Sequence, residues 1–305
     1  MRAPLSSVTV RAPAKLNLQL CVGPLRADGY HDLTTVFHAV SVYDELTVRR
    51  ADALSVVVQG DTAEGVPAGG SNLAVRAVQL LAEEAGLPPN VSLLLHKDIP
   101  VAGGCAGGSA DAAAALVACD VLWGLGLTKE ELGVLGARLG SDVPFALHGG
   151  TALGTGRGER LSPALGSGTY HWVLALASEG LSTPEVYAEL DRQRETRPPR
   201  LSTEASDVLA ALRRGSATAL GKALGNDLQP AALALRPQLA DVLETGLALG
   251  ALGGIVSGSG PTVAFLARDE GHATALASGV AAEGGCRSVR VAHGPVHGAR
   301  VVGSE

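Results

Sequence analysis

The chain is poor in aromatic residues, methionine, lysine and cysteine. Aromatics make up 3% of its 305 residues, and there is a single Met. A core with so few rings must be built from Ala, Val and Leu, in keeping with the 46% hydrophobic content. Four cysteines, Cys21, Cys105, Cys119 and Cys286, are scattered without a C-x-x-C pair. That spacing argues against a zinc site or a disulfide framework and fits a reducing cytoplasm; no metal ligands are expected among the side chains. No stretch reaches the ~18 consecutive apolar residues of a membrane span. The opening MRAPLSSVTVRAPAK lacks the apolar run of a signal peptide. Excess positive charge is absent as well. A net charge of -6 argues against nucleic acid or an anionic membrane as partner.

Lysine scarcity is informative. Only Lys15, Lys97, Lys129 and Lys222 are lysines; every other basic residue counted with them is Arg. Where such a chain keeps a Lys beside a motif, a compact ammonium with a movable proton is the property needed. Lys15 and Lys97 stand beside motifs. Lys129 and Lys222 read as helix-surface residues.

What is present centres on HKDIPVAGGCAGGSADAAAALVACDVLW, residues 96–123. A strand from Val91 to Leu95 leads into a glycine-rich loop, Gly103 to Gly108, and then into an alanine-rich helix with Ser109 or Asp111 near its first turn. Strand, glycine loop and helix N-terminus form an anion-binding arrangement, because glycines let the backbone approach phosphate oxygens and first-turn N–H groups point at them. The loop matches neither G-x-x-x-x-G-K-[ST] nor G-x-G-x-x-G. On the glycines alone, a turn that only lets the helix pack closely on a sheet remains open.

Before this stretch, Leu16, Leu18 and Leu20 alternate with Asn17, Gln19 and Cys21, the period of a strand. Lys15 and Asn17 share its other face, either lining a polar site or simply exposed. Asp28-Gly29 marks a turn that presents Tyr30 and His31, either to a planar base or back onto the sheet. Strands are expected at 8–10, 12–22, 36–48 and 54–58. Several strands before the first helix point to an α+β layout. An amphipathic helix after Ser71-Asn72 ends at Gly86, and Thr128 with Glu131 forms a capping box for another helix. In GSDVPF, residues 140–145, Asp142 is either a general base in an apolar turn or a capping Asp before Pro.

From about residue 165 the character changes to a second α/β unit. It comprises a strand at 170–177, a helix from near Thr183, a polar RPPRLST break and Ala/Leu helices to about 250. Strand, Ser/Gly turn and strand follow at 253–267; the turn Ser257 to Thr262 is either a second anion loop or a plain hairpin turn. A helix from about Glu270 and a strand at 288–292 finish the unit. The expected division is residues 1–162 and 163–305. No fixed-period repeat is seen.

Taken together, PAKLNL (13–18), P-x-x-G-G-x-x-G-G-S (100–109) and SGSGPT (257–262) resemble the kinase superfamily of galactokinase, homoserine kinase, mevalonate kinase and phosphomevalonate kinase. Lys15-Leu16-Asn17, Asp28-Gly29-Tyr30-His31 and GSDVPF resemble most the branch whose alcohol acceptor carries a cytidine diphosphate, in non-mevalonate isoprenoid synthesis. The resemblance implies two α/β domains with nucleotide and acceptor in the cleft between them. It implies ATP, with Mg2+, phosphorylating the 2-hydroxyl of a methylerythritol moiety, Asp142 as base and Lys15 as its partner. Pro100, Val101, Ala102, Gly103, Gly104, Cys105, Ala106, Gly107, Gly108, Ser109 and Ala110 would form the ATP loop, with Asn72 and Lys97 near the nucleotide. Asn17, Tyr30, His31 and Thr183 would face the acceptor, Tyr30 and His31 near its cytosine. The oligomeric state is not implied. The chain departs from the family at the loop, where AGGCAGGSA stands for a pattern like GGGLGGGSS. Loss of the second Ser at Ala110 shifts its work to Ser109 and backbone N–H groups. Rival readings are a superfamily kinase for homoserine or a mevalonate-type alcohol, disfavoured by Tyr30-His31, and a catalytically dead binding regulator, disfavoured by the joint presence of Lys15, Asp142 and the loop.

Overall fold

The computed structural model describes residues 5–196 and 205–305. The RPPRLST break and the first four residues lie outside them. In chain order the elements are β1 (Ser7–Leu25), β2 (His31–Arg50), β3 (Ser55–Gln59), α1 (Leu73–Ala85), β4 (Val91–His96), α2 (Gly107–Trp123), α3 (Lys129–Leu139), α4 (Val143–His148), β5 (Thr151–Gly156), β6 (Arg160–Pro163) and β7 (Tyr170–Leu176). There follow α5 (Thr183–Thr196), α6 (Ser206–Arg214), α7 (Ala217–Ala223), β8 (Gly225–Asn226), α8 (Gln229–Leu235), α9 (Gln238–Ala248), β9 (Gly253–Val256), β10 (Val263–Ala267), α10 (Glu270–Glu283), β11 (Ser288–Gly294) and β12 (Arg300–Ser304). The fold is mixed α+β, as the run of strands before α1 predicts.

A long antiparallel hairpin, β1 with β2, is the spine of the first sheet. The sequence pattern suggests breaks in both strands, yet each is continuous. Pro13 cannot donate to a ladder, and a register shift between Pro13 and Ala14 absorbs the fault without ending the strand. The second half of β2 pairs with β4, and its first half with β5. The sheet order is β12-β1-β2-β4-β3. β12 comes from the far end of the chain to pair with β1, and β8 adds a short parallel pairing at Gln19 and Leu20.

α2 packs on this sheet. Its run of alanines has high helix propensity and, lacking long side chains, lets the helix axis lie close to β1 and β2. Nearly every position from Ala110 to Leu122 is buried, so the helix is apolar all round rather than striped. The second sheet runs β11-β7-β10-β9. Alternation along β7 serves two cores: Tyr170, Trp172, Leu174 and Leu176 join the main core with α2, while Val173 and Ala175 join a second core under α5, α8, α9 and α10. Burial on both faces explains why β7 and β10 read as continuous apolar runs. No helix among the described residues is long and apolar enough to cross a membrane.

Candidate active site

β1 carries Lys15 and Asn17 into the molecule, not out to solvent. Both are buried, at 7% and 3% exposure, while Leu16 and Leu18 fill the opposite face. The Lys15 ammonium donates to Asn17 Oδ1 at 2.6 Å, and Asn17 Nδ2 donates to Thr35 Oγ1 at 2.8 Å. Thr35 in turn donates to the Gln19 carbonyl. This relay fixes the Asn amide and leaves Lys15 aimed at Asp142, whose Oδ2 is 3.7 Å away. The ammonium also lies 5.7 Å from the Phe37 ring centroid. Asp142 precedes α4, but its side chain makes no capping hydrogen bond. The capping alternative therefore falls, and the carboxylate borders a cavity of about 480 Å³ together with Lys15 and Asn17.

The glycine loop forms another wall of that cavity. It is anchored to β1, where Lys15 N–H donates to the Cys105 carbonyl at 3.2 Å. From behind, the Ser257–Thr262 turn supports it: Ser257 Oγ donates to the Gly104 carbonyl at 3.1 Å and Thr262 N–H to the Gly103 carbonyl at 3.3 Å. A Cβ on Gly104 would lie 2.0 Å from the Ser257 carbonyl oxygen, so only Gly fits between the two loops. α2 begins at Gly107, and no side chain caps it. Its first-turn N–H groups are thus free of a side-chain acceptor at the cavity wall, the arrangement that receives an anion. Ser109 is half-buried in that turn, and Ala110 is fully buried in the core, where it offers no hydroxyl. Ala102 and Ala106 adopt left-handed φ of 51° and 60°, a region that costs an L-residue about 1–2 kcal/mol. Cys105 is fully buried, and burial pushes its thiol pKa up.

Asn72 and Lys97 reach the cavity wall with their polar groups already engaged. Asn72 caps α1, accepting from Ala74 N–H at 2.9 Å and donating to the Pro67 carbonyl at 2.8 Å. The Lys97 ammonium lies between two buried carboxylates, Asp44 and Asp111, the latter at 2.7 Å. Asp44 gave no signal in the sequence, because nothing marks one acid on a strand as the partner of a Lys 53 positions away.

A second, larger cavity of about 1010 Å³ adjoins the first; the two share Leu33, Ser141, Arg157, Thr183 and Tyr187. Tyr30 is exposed there, with the Arg157 guanidinium 5.0 Å from its ring centroid. His31 is buried: Nδ1 lies 2.9 Å from the Gly23 carbonyl, Nε2 3.3 Å from Asp191 Oδ2, and the ring stacks on Tyr187. Both ring nitrogens face protein oxygens, so this imidazole orders the wall with Tyr187, while the exposed ring surface is that of Tyr30. Burial, then the charge of Asp142, raises the Tyr187 pKa. Thr183 Oγ1 is 2.8 Å from Ser259 Oγ, tying α5 to the Ser/Gly turn. Tyr187, Asp191 and Arg157 are cavity residues the sequence reading missed. A signal existed for the first two, since Thr183, Tyr187 and Asp191 recur at i, i+4, i+8 and so share one helix face. Arg157, one Arg among glycines, gave none.

Among the described residues no group of three or more His, Cys, Asp or Glu is placed to hold a metal ion. A Mg2+ riding on phosphates needs only one or two protein oxygens. The Ser109 hydroxyl and the Asp142 carboxylate, both hard donors bordering the same cavity, fit that demand.

The cavity walled by an uncapped glycine-rich helix N-terminus and a Lys–Asp pair has the parts that phosphoryl transfer asks for, and comparison with known proteins identifies the family. Family models for the GHMP kinases match residues 72–150 (N-terminal domain) and 208–286 (C-terminal domain). The chain is 58% identical over 298 residues to a 4-diphosphocytidyl-2-C-methyl-D-erythritol kinase of Salinispora tropica, covering 96% of this chain and 94% of that one. It is equally identical to the enzyme of that name from Mycolicibacterium smegmatis, with 97% and 92% covered. A crystal structure of 4-(cytidine 5'-diphospho)-2C-methyl-D-erythritol kinase superposes with a TM-score of 0.75 at 35% identity, covering 93% of this chain and 98% of that one. The chain belongs to the GHMP kinases and, within them, to the 4-diphosphocytidyl-2-C-methyl-D-erythritol kinase family. It is a small-molecule kinase, and ATP is the phosphate donor the family implies.

Proposed function

We propose that the chain transfers the γ-phosphoryl group of ATP to the 2-hydroxyl of 4-diphosphocytidyl-2-C-methyl-D-erythritol. The observation that carries this reading is that the cavity bordered by the Lys15–Asp142 pair adjoins a second cavity along Leu33, Ser141, Arg157, Thr183 and Tyr187. One is walled by the glycine loop and the other by Tyr30, His31 and Tyr187. Phosphoryl transfer asks chiefly for positioning and charge stabilisation. The acceptor hydroxyl lies against Asp142, which takes its proton as the new O–P bond forms; the bond from the γ-phosphorus to the β–γ bridging oxygen breaks, and ADP leaves with that electron pair. Lys15, 3.7 Å from the carboxylate, stabilises negative charge developing on the acceptor oxygen. Asn17 holds Lys15 in place and faces the acceptor. The backbone N–H groups of Gly107, Gly108 and Ser109 receive the phosphates. A phosphate-borne Mg2+ held by Ser109 and Asp142 would offset phosphate charge.

Beyond the transfer point, the cytosine of the acceptor lies along the Tyr30 ring and the His31–Tyr187 stack, with Thr183 at the junction. The nucleotide base runs along the Pro67–Asn72 edge, where Asn72 acts by shaping α1 rather than with a free amide. No membrane or nucleic-acid partner enters this account, and the four free cysteines fit an enzyme acting in the reducing cytoplasm. Tyr30→Ala and Tyr187→Ala test the acceptor half. Each should raise the KM for the cytidylyl acceptor by about tenfold, the scale of one base stacked on one ring, and shift the KM for ATP less than about twofold. Equal rises in both constants would remove these rings from the acceptor site.

A further inference from the structure

We infer that Asp44, Lys97 and Asp111 form a buried, charge-balanced clamp that positions the phosphate loop, with Asp44 its ionised anchor and Asp111 a neutral acid. Resting on the loop being the ATP site, the inference begins with an imbalance of charge. One ammonium lies between two carboxylates, and the three side chains are 1%, 0% and 4% exposed. With both acids ionised, the cluster would hold a net negative charge shut off from water, a costly arrangement. It would also sit against the place meant for anionic phosphate. A Cβ on Gly107, the first residue of α2, would be only 3.2 Å from the Lys97 ammonium.

The hydrogen bonds say which acid carries the proton. Asp44 accepts from the Lys97 ammonium, from Asp98 N–H at 2.7 Å and from Ile99 N–H at 2.9 Å. Three donors, two of them fixed backbone groups, stabilise an ionised carboxylate. Asp111 receives Lys97 on Oδ2 alone, and its Oδ1 is buried with no hydrogen-bond partner. The charged groups facing Asp111 are Lys97, from the end of β4, and Asp44, from β2. Burial raises the Asp111 pKa well above its usual range, against the pull of Lys97. For Lys97, burial works against the charge, but the attraction of Asp111 and Asp44 leaves its pKa raised.

The clamp has a mechanical consequence. Lys97 and Asp111 bracket the loop from Asp98 to Ala110, so one ammonium pins both ends of it while Asp44 ties that ammonium to the sheet. These are positioning residues; the anion meets the loop's N–H groups, not the ammonium.

Asp111→Asn, Asp44→Asn and infrared difference spectra together test this. Asn at 111 keeps the shape of a neutral acid, so the KM for ATP should stay within about threefold of wild type. Asn at 44 loses the charge that three donors require and should raise the KM for ATP by about tenfold or more, the cost of a charge-assisted bond. The acceptor KM should move less. If Asp44→Asn does not fold, the spectrum decides alone. At neutral pH the wild type minus Asp111→Asn difference should show a protonated carboxyl band. A carboxylate band there, or equal losses of ATP affinity in the two variants, would overturn the inference. The spectrum reads Asp111 whether or not the loop binds ATP, so failure of the clamp is distinguishable from failure of the site assignment.

Discussion

At the scale of residues, Lys15 and Asp142 form a pair that no local pattern could prove. The sequence supplies Lys15 on an alternating strand and Asp142 before Pro144, 127 positions apart; the fold brings them to 3.7 Å. Lysine scarcity pointed at Lys15 and Lys97 with equal force, yet the fold gives them different surroundings. Lys15 faces the cavity, while Lys97 is enclosed by Asp44 and Asp111, because a single strand end cannot tell whether its Lys meets acids or ligand. Asp142→Asn should lower kcat by about 10²-fold or more, the usual size for loss of a general base, with little change in Tm. A variant with kcat near wild type would remove Asp142 from the role. Lys15→Arg should also be strongly impaired, since a planar guanidinium does not fit where one compact ammonium meets Asn17 and Asp142. Full activity in that variant would end the argument from lysine scarcity.

At the scale of elements, the loop shows what composition conveys and what it hides. Glycines at 103, 104, 107 and 108 announced a close backbone approach, and at Gly103 and Gly104 the Ser257–Thr262 turn is what approaches. Alanines stand at 102 and 106 where the family pattern has Gly, and both hold the left-handed conformation that glycine adopts without strain. Replacing either with Gly relieves about 1–2 kcal/mol of strain and returns about 0.5–1 kcal/mol through the unfolded chain. Ala102→Gly and Ala106→Gly should therefore each raise Tm by about 1–3 °C; a fall in both would show that the alanine side chains pack better than their backbone strain implies. Gly104→Ala should do the opposite. Its methyl would meet the Ser257 carbonyl at 2.0 Å, and displacing the loop by about 1 Å should cost about 10²-fold in kcat/KM. Unchanged kinetics would mean the two loops do not depend on each other.

At the scale of the whole molecule, the change of character near residue 165 was legible as the start of the second sheet. The return of β12 to β1 was not, since five exposed residues carry no sign of their partner. Nor was the role of His38, which lies fully buried between the two sheets against Tyr170 and Trp172. Its Nδ1 meets Thr151 Oγ1 at 2.8 Å, and Nε2 is buried without a partner. Burial holds its pKa down to about 3, against an ordinary 6.5. Below pH 6.5 the unfolded chain binds a proton at this position that the folded one refuses. Stability is therefore full above pH 6.5 and declines as the pH falls toward about 3, by about 1.4 kcal/mol per unit. Unfolding free energies from denaturant melts of wild type and His38→Asn should converge by about 2 kcal/mol between pH 7 and pH 5; parallel curves would mean His38 takes up its proton as readily in the fold as in the unfolded chain.

The most direct test of the account is ATP-dependent turnover with Mg2+, measured by phosphorus NMR on 4-diphosphocytidyl-2-C-methyl-D-erythritol, homoserine and mevalonate side by side. The account predicts one phosphorylated product, from the cytidylyl alcohol, with the new phosphate on its tertiary 2-hydroxyl. Turnover of homoserine or mevalonate in its place, or ATP binding with no transfer to any of the three, would contradict it.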